Sequence, residues 1–176
     1  MLRTAINQPD FCIKTERLML VPLAEEYVQP YFLEFTEEIT RYQFPEPFLS
    51  IEDARSFFAR AQAFREEGEE LVCAVLAPDN EFLGSVEARN LTSPTPEVGI
   101  WLKAGAQGKG YAKEAMTAFF AFFRAQHKVD FFVYEADRRN PASIKLALSL
   151  GGELQCAYEA QSAGGELLRL KLFYIE

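Results

Sequence analysis

Apolar positions along the chain switch between two periods, and the switches mark its elements. Leu18, Leu20 and Pro22 alternate with Met19 and Val21 in a short apolar run, which predicts a first strand. From 25 to 66 the pattern is helical but interrupted by Pro30, Pro45 and Pro47. Ser50 with Asp53 resembles a capping box with Asp in the usual Glu place. Phe57, Phe58, Ala61 and Phe64 follow at helical spacing as a core-facing stripe. Three strands are predicted next. Leu71–Ala77 is apolar on both faces, as a central strand would be. Phe82–Leu91 follows an Asp79-Asn80 turn, and Val98–Leu102 follows Pro94 and Pro96. Strand, turn, strand, turn, strand describes an antiparallel meander.

The period then becomes helical. Ala112, Ala115, Met116, Phe119, Phe120 and Phe123 share one face, and Phe122 widens it, so a deeply buried helix is expected. His127 falls in its last turn, where a cation would complement the helix dipole. Val129–Glu135 reads as a strand. Asn140 and Pro141 give a helix start with N-cap and first-position chemistry, and Gly151-Gly152 ends that helix. Leu154–Ala160, a Gly164-Gly165 turn and Leu167–Ile175 form a hairpin. The strand–helix–strand step from 98 to 135 is long enough for a parallel crossover. The fold class is therefore α+β: a mixed, mostly antiparallel sheet of about seven strands with one parallel pair near its middle.

A length of 176 residues fits a single domain over residues 1–176. Lys and Arg number 18 against 26 Asp and Glu, a net charge of -8. Nucleic-acid binders draw most of their affinity from basic groups on phosphate, so that class is disfavoured. Cys12, Cys73 and Cys156 are far apart and in no ligand spacing, which suits reduced thiols and a cytoplasmic setting. With the single histidine His127 a His-rich metal site is excluded. Met1 to Phe11 carries no apolar core of the signal-peptide kind, and the apolar run near Ala115–Phe123 is too short to span a bilayer, so no membrane role is expected.

The chemistry concentrates in Gln107-Gly108-Lys109-Gly110-Tyr111-Ala112, which follows a strand and opens the buried helix. Its glycines let the backbone approach a ligand, and the free amides of a first helical turn favour negative charge. A pyrophosphate fits there. The P-loop is excluded, because Gly105 and Gly108 enclose too few residues and Gly110 stands where a hydroxyl is required. The dinucleotide pattern fails at Lys113. A flexible loop that merely caps a helix is the plain alternative. Two further features are Asn140-Pro141-Ala142-Ser143, explicable as capping, and Glu97-Val98-Gly99-Ile100-Trp101-Leu102, whose Trp101 is equally explicable as core.

Together these features resemble the GNAT N-acetyltransferase superfamily. Its signature, Gln/Arg-x-x-Gly-x-Gly/Ala, is matched by Gln107, Gly110 and Ala112. The Asn140…Ser143…Gly151 spacing, the Glu97–Leu102 strand and the opening Thr15-Glu16-Arg17-Leu18-Met19-Leu20 are similar to the branch containing the ribosomal-protein N-terminal acetyltransferases. The resemblance implies a splayed parallel pair, helices on both sheet faces, and acetyl-coenzyme A as co-substrate. It places the pyrophosphate on Gln107, Gly108, Lys109, Gly110, Tyr111 and Ala112. It places the pantetheine arm along Trp101 and Leu102, and gives Asn140 a contact with that arm or a role bracing the strands. The tyrosine that protonates the thiolate in many members is replaced by Ala147; in this branch a serine at the Ser143 position is sometimes assigned that role, and plain capping accounts for Ser143 equally well. Gly152 replaces a usual aromatic and Val21 a common arginine.

The implied reaction is direct acyl transfer to an amine, most readily an α-amino group of a protein or peptide, whose pKa of about 8 lies below the ~10.4 of lysine. Glu97 is the first candidate base and Glu87 the second. A backbone N–H near Trp101 or Leu102 would serve as oxyanion donor. Tyr27, Tyr31, Phe32, Phe35, Tyr42, Phe44 and Phe48 are read as core or as a cleft wall, with Arg41–Phe48 as its lip and Glu37, Glu38 and Glu46 facing a cationic amine. The competing readings are a small-amine (polyamine or amino-sugar) acetyltransferase and a non-catalytic acyl-coenzyme A binding module. A homodimer is compatible with any of them.

Overall fold

The computed structural model describes residues 1–43, 46–162 and 165–176. One eight-stranded sheet is built from β1 (Ile13–Lys14), β2 (Met19–Pro22), β3 (Leu71–Leu76), β4 (Phe82–Arg89), β5 (Glu97–Leu102), β6 (Phe132–Asp137), β7 (Glu153–Gln161) and β8 (Leu167–Ile175). Their order is β1-β2-β3-β4-β5-β6-β8-β7. Every neighbouring pair is antiparallel except β5 and β6. The helices are α1 (Leu2–Ile6), α2 (Val28–Glu34), α3 (Glu37–Thr40), α4 (Ile51–Glu67), α5 (Tyr111–Gln126) and α6 (Pro141–Ser149).

Period-2 alternation in β3 sorts the core into two layers. Leu71, Cys73 and Val75 face α5, while Val72, Ala74 and Leu76 face α2 and α4. Both faces are covered, so the whole strand is buried and reads as a continuous apolar run. The phenylalanine face of α5 fills the first layer: Met116, Phe119 and Phe123 are fully buried, each worth roughly 1.5–3 kcal/mol of transfer free energy. Ser50 caps α4 by accepting from the Asp53 amide at 3.1 Å, and Gly68 ends it in a left-handed conformation. Helices therefore cover both sheet faces, as the resemblance implied. The parallel step through α5 stands where the crossover was expected.

Differences fall on short elements and boundaries. Helix α1 escapes the pattern because five residues bury only Leu2 and Ile6. Strand β1 has two residues, too few to show a period, and makes the sheet eight-stranded rather than about seven. The strand read as Val129–Glu135 begins at Phe132, because the Asp130 amide is committed to the Pro94 carbonyl at 2.7 Å. His127 is not a dipole-capping cation. Both its ring nitrogens are buried without a partner among the described residues, and burial pushes its pKa down. Arg124 is the base in the last turn, over the Phe120 and Phe132 rings. Gly164 of the hairpin turn and Phe44 and Pro45 of the expected lip lie outside the described residues.

Candidate active site

The turn feeding α5 is held open. Gly108 and Gly110 have φ of +72° and +82°, which would cost other residues about 1–2 kcal/mol each. A Cβ on Gly108 would meet nothing, and one on Gly110 only the Arg17 guanidinium at 3.4 Å. Gly110 is the N-cap residue of α5 and supplies no side-chain acceptor. The Glu114 amide donates to the Gly110 carbonyl at 3.1 Å. Ahead of it, among the described residues, the amides from Gly108 to Lys113 donate to no protein group. A row of free N–H groups on an exposed glycine turn at the positive end of a sixteen-residue helix is an anion cradle.

Arg17 and Glu114 brace the turn. Arg17 Nη1 donates to the Lys109 carbonyl at 3.1 Å, and the guanidinium lies 4.7 Å over the Tyr111 ring. Its Nε and Nη2 reach Glu114 Oε2 at 2.8 and 2.7 Å. Thr15 Oγ1 and the Arg17 amide donate to Glu114 Oε1 at 2.6 and 2.9 Å. Burial would raise the Glu114 pKa, but these hydrogen bonds outweigh it and hold the carboxyl below its ordinary value.

Beside the turn the sheet opens. Pairing of β5 with β6 ends at Val98 and Tyr134, although β5 continues to Leu102 and β6 to Asp137. The Lys103 amide donates to the Leu83 carbonyl at 2.8 Å. By the alternation of an antiparallel ladder, Lys103, Trp101 and Gly99 then turn their peptide groups toward β4, and Ile100 and Leu102 toward the gap. The Leu102 carbonyl accepts from Gln107 Nε2 at 2.9 Å, which ties the turn back to the strand end. The Ile100 peptide groups and the Leu102 amide are left facing the gap.

The gap opens into a cleft of about 220 Å³ lined by Tyr31, Phe35 and Phe57, by Glu87, Arg89, Glu97 and Glu135, and by Tyr134, Asn140 and Ser143. Glu87 lies flat on β5 because residue 99 is glycine: a Cβ there would stand 3.2 Å from Glu87 Oε1. Arg89 Nη2 donates to both Glu87 oxygens, at 2.9 and 3.1 Å. Glu97 is exposed and accepts from Asn90 Nδ2 at 2.9 Å. Glu135 accepts from the Tyr158 hydroxyl. The Trp101 indole donates to the Tyr31 hydroxyl at 3.1 Å inside the aromatic cluster of α2 and α4. Burial chiefly pushes the Tyr31 phenol above its ordinary range.

The start of α6 closes the far side. Asn140 is the N-cap, its Oδ1 accepting from the Ser143 amide at 3.1 Å. The Ser143 hydroxyl therefore does no capping; it shares a 2.8 Å hydrogen bond with the Tyr134 hydroxyl. Asp137 anchors the turn before α6. Arg139 donates to both its oxygens, at 2.8 and 2.9 Å, and the Arg139 and Arg169 amides each add a 2.8 Å bond. Burial alone would raise the Asp137 pKa; these donors, Arg139 foremost, hold it at about 2.

Glu97, Asn140, Ser143 and Trp101 line this cleft together, the Trp101 indole reaching the aromatic cluster through Tyr31. Leu102 and the turn from Gln107 to Ala112 lie at the far end of β5, tied to each other by the Gln107 side chain. Sequence reasoning missed Arg89, Glu114, Glu135 and Tyr134 as participants, and saw Arg17 only as part of a motif. Glu114 and Glu135 act through partners remote in sequence, and Tyr134 through the following helix, for which spacing gives no signal; Arg89 pairs with Glu87 two residues away on β4, a spacing the sequence does display.

A family model described as an acetyltransferase (GNAT) domain matches residues 17–153. Solved structures share the fold. One is RimL, a ribosomal L7/L12 α-N-protein acetyltransferase in complex with coenzyme A, 18% identical over 93% of this chain and 96% of that one, with a TM-score of 0.83. Another is the microcin C7 self-immunity acetyltransferase MccE in complex with acetyl-coenzyme A and AMP, 19% identical over 91% and 92%, with a TM-score of 0.81. A third is Mycobacterium smegmatis RimJ in complex with a coenzyme A disulfide, 15% identical over 90% and 81%, with a TM-score of 0.80. No curated protein matches the sequence.

Proposed function

We propose, for a chain that belongs to the GNAT acetyltransferase family, that residues 1–176 act as one domain moving an acetyl group from acetyl-coenzyme A to an α-amino group of a protein or peptide. The observation that carries this is the row of unpartnered amides from Gly108 to Lys113 beside a sheet that opens at Val98. The diphosphate lies on those amides. The pantetheine arm runs along β5, pairing with the Ile100 peptide groups and the Leu102 amide in place of β6, with Asn140 opposite. The coenzyme supplies the activated acyl group; the chain supplies position and charge.

Residues of the cleft do the rest. Glu97 takes the proton that the amine must lose, with Glu87 as second candidate; the Arg89 bridge on Glu87 favours Glu97. The Leu102 amide faces the gap and is the backbone donor for charge developing on the acyl oxygen. Ser143 donates to the departing sulfur. An α-amine of pKa about 8 is easier to deprotonate than a lysine of about 10.4. Three carboxylates against one arginine in the lining favour a cationic acceptor over an anionic one such as a nucleotide. The acceptor in RimL's printed name, a ribosomal-protein α-amine, is of the favoured class.

Thiol release measured with acetyl-coenzyme A and a panel of peptides, polyamines and amino sugars tests the reading. Turnover is expected with free peptide N-termini and is lost when they are blocked. Turnover confined to small amines would replace the acceptor, and binding without turnover on any amine would leave an acyl-coenzyme A binding module. Glu97→Gln should lower kcat about a hundredfold or more; an unchanged kcat would transfer the base to Glu87.

A further inference from the structure

We propose that Tyr134 is a positioning residue that turns the Ser143 hydroxyl toward the departing sulfur. The inference rests on the acetyltransferase reading and on Ser143 as donor. The two hydroxyls are 2.8 Å apart. Tyr134 stands on β6 at the last residue paired with β5, where the gap begins, and it is 3% exposed. Ser143 is the third residue of α6 and lines the same cleft. Among the described residues its hydroxyl has no other partner, since Asn140 already takes its amide.

The direction of the bond follows from chemistry. A phenol is a stronger acid than an alcohol and so the better donor. If Tyr134 donates to Ser143 Oγ, the serine proton is free to point into the gap, and a hydroxyl that accepts one hydrogen bond donates a stronger one. The opposite arrangement would spend the serine proton on tyrosine and leave the sulfur with a lone pair facing it. The first turn of α6 adds its positive end to the same spot.

The pair is a polarised donor and not a proton source. A free thiol has a pKa of about 8.5 and a phenol about 10, so full transfer from Tyr134 to the thiolate runs uphill. The amine nitrogen bonds to the acyl carbon, and the C–S bond breaks with its electrons going to sulfur. The thiolate accepts a hydrogen bond from Ser143, and it takes its proton from solvent, to which the carboxylate returns the one released by the amine. Burial pushes the Tyr134 phenol up, which keeps it protonated through the working pH range.

Tyr134→Phe keeps the ring and removes only the hydroxyl. It is expected to lower kcat about tenfold, the loss of one hydrogen bond to a charge-bearing network. KM for acetyl-coenzyme A should not change, and the thermal midpoint should fall by no more than a few degrees, the loss of one hydrogen bond. A second readout needs no turnover: the thiol of bound coenzyme A, followed by thiolate ultraviolet absorbance, should be about tenfold less acidic in Tyr134→Phe and in Ser143→Ala than in the parent. Added to Ser143→Ala, Tyr134→Phe should do nothing further; added to Ser143→Thr, which retains a hydroxyl, it should keep its effect. An effect of Ser143→Ala with none from Tyr134→Phe, or additive effects of the two, overturns the role of Tyr134 alone. No effect of Ser143→Ala on either readout overturns the reading of Ser143 beneath it.

Discussion

Replacing Gly110 separates the two properties that the turn before α5 requires, backbone freedom and an uncontested anion site. Both Gly110→Ala and Gly110→Asp must adopt φ near +82°, at a cost of about 1–2 kcal/mol. A Cβ would meet Arg17 Nη2 at an ordinary 3.4 Å, so neither variant is blocked sterically. The aspartate adds a carboxylate among the free amides and beside Arg17. At about 4 Å from a phosphate oxygen the repulsion is about 1 kcal/mol in water and about 4 kcal/mol at the effective dielectric near a protein surface. Coenzyme A affinity should therefore fall a further fivefold to a thousandfold beyond the alanine variant. Titration calorimetry at low and high salt measures this. The gap between the variants should shrink as the screening length falls from ~10 Å at 0.1 M to ~3 Å at 1 M. Equal affinity in the two variants, or a gap indifferent to salt, would refute the placement of the diphosphate on these amides.

Other expectations follow from the supporting network. Asp137 has a folded pKa of about 2 against an unfolded value near 3.8, so it stabilises the fold fully above pH 4 and loses that contribution as pH falls toward 2. The difference is worth about 2 kcal/mol, and Asp137→Asn should lower the midpoint at pH 7 by roughly 4–8 °C, with a smaller gap at pH 2–3 by calorimetry. Arg17→Gln leaves the amides in place but unbraces Lys109 and Tyr111. It should weaken coenzyme A binding about three- to tenfold with little change in kcat, since the Arg17–Glu114 pair is half-exposed. Cys73 is fully buried, with its thiol pushed far up by desolvation, and should resist thiol reagents in the native protein, while exposed Cys156 reacts at once.

Long periodic segments made much of the fold legible. The six apolar residues from Ala112 to Phe123 describe α5 well, β3 follows from its unbroken apolar run, and β8 from hairpin chemistry. The glycine turn was legible because it needs special backbone at Gly108 and Gly110 and has nothing but a helix after it. Networks were not. Arg17 and Glu114 are 97 residues apart, and the sequence holds no mark of their meeting. Asn140 as cap was visible, but its success frees Ser143 for Tyr134, a contact set by the angle between β6 and α6. Trp101 follows strand alternation, which sends its side chain to the α2–α4 face and its peptide group to β4, so that Ile100 and Leu102 face the gap. Charge patterning on the cleft depends on three strands lying side by side, with Glu87 over Gly99 as the clearest instance.

Amide chemical shifts on adding coenzyme A test the central claim most directly. A diphosphate seated on the turn should move the N–H resonances from Gly108 to Lys113 strongly, together with those of Ile100 and Leu102, and leave the β7 edge unmoved. Saturable binding that shifts amides elsewhere while Gly108, Gly110 and Tyr111 stay in place would contradict it.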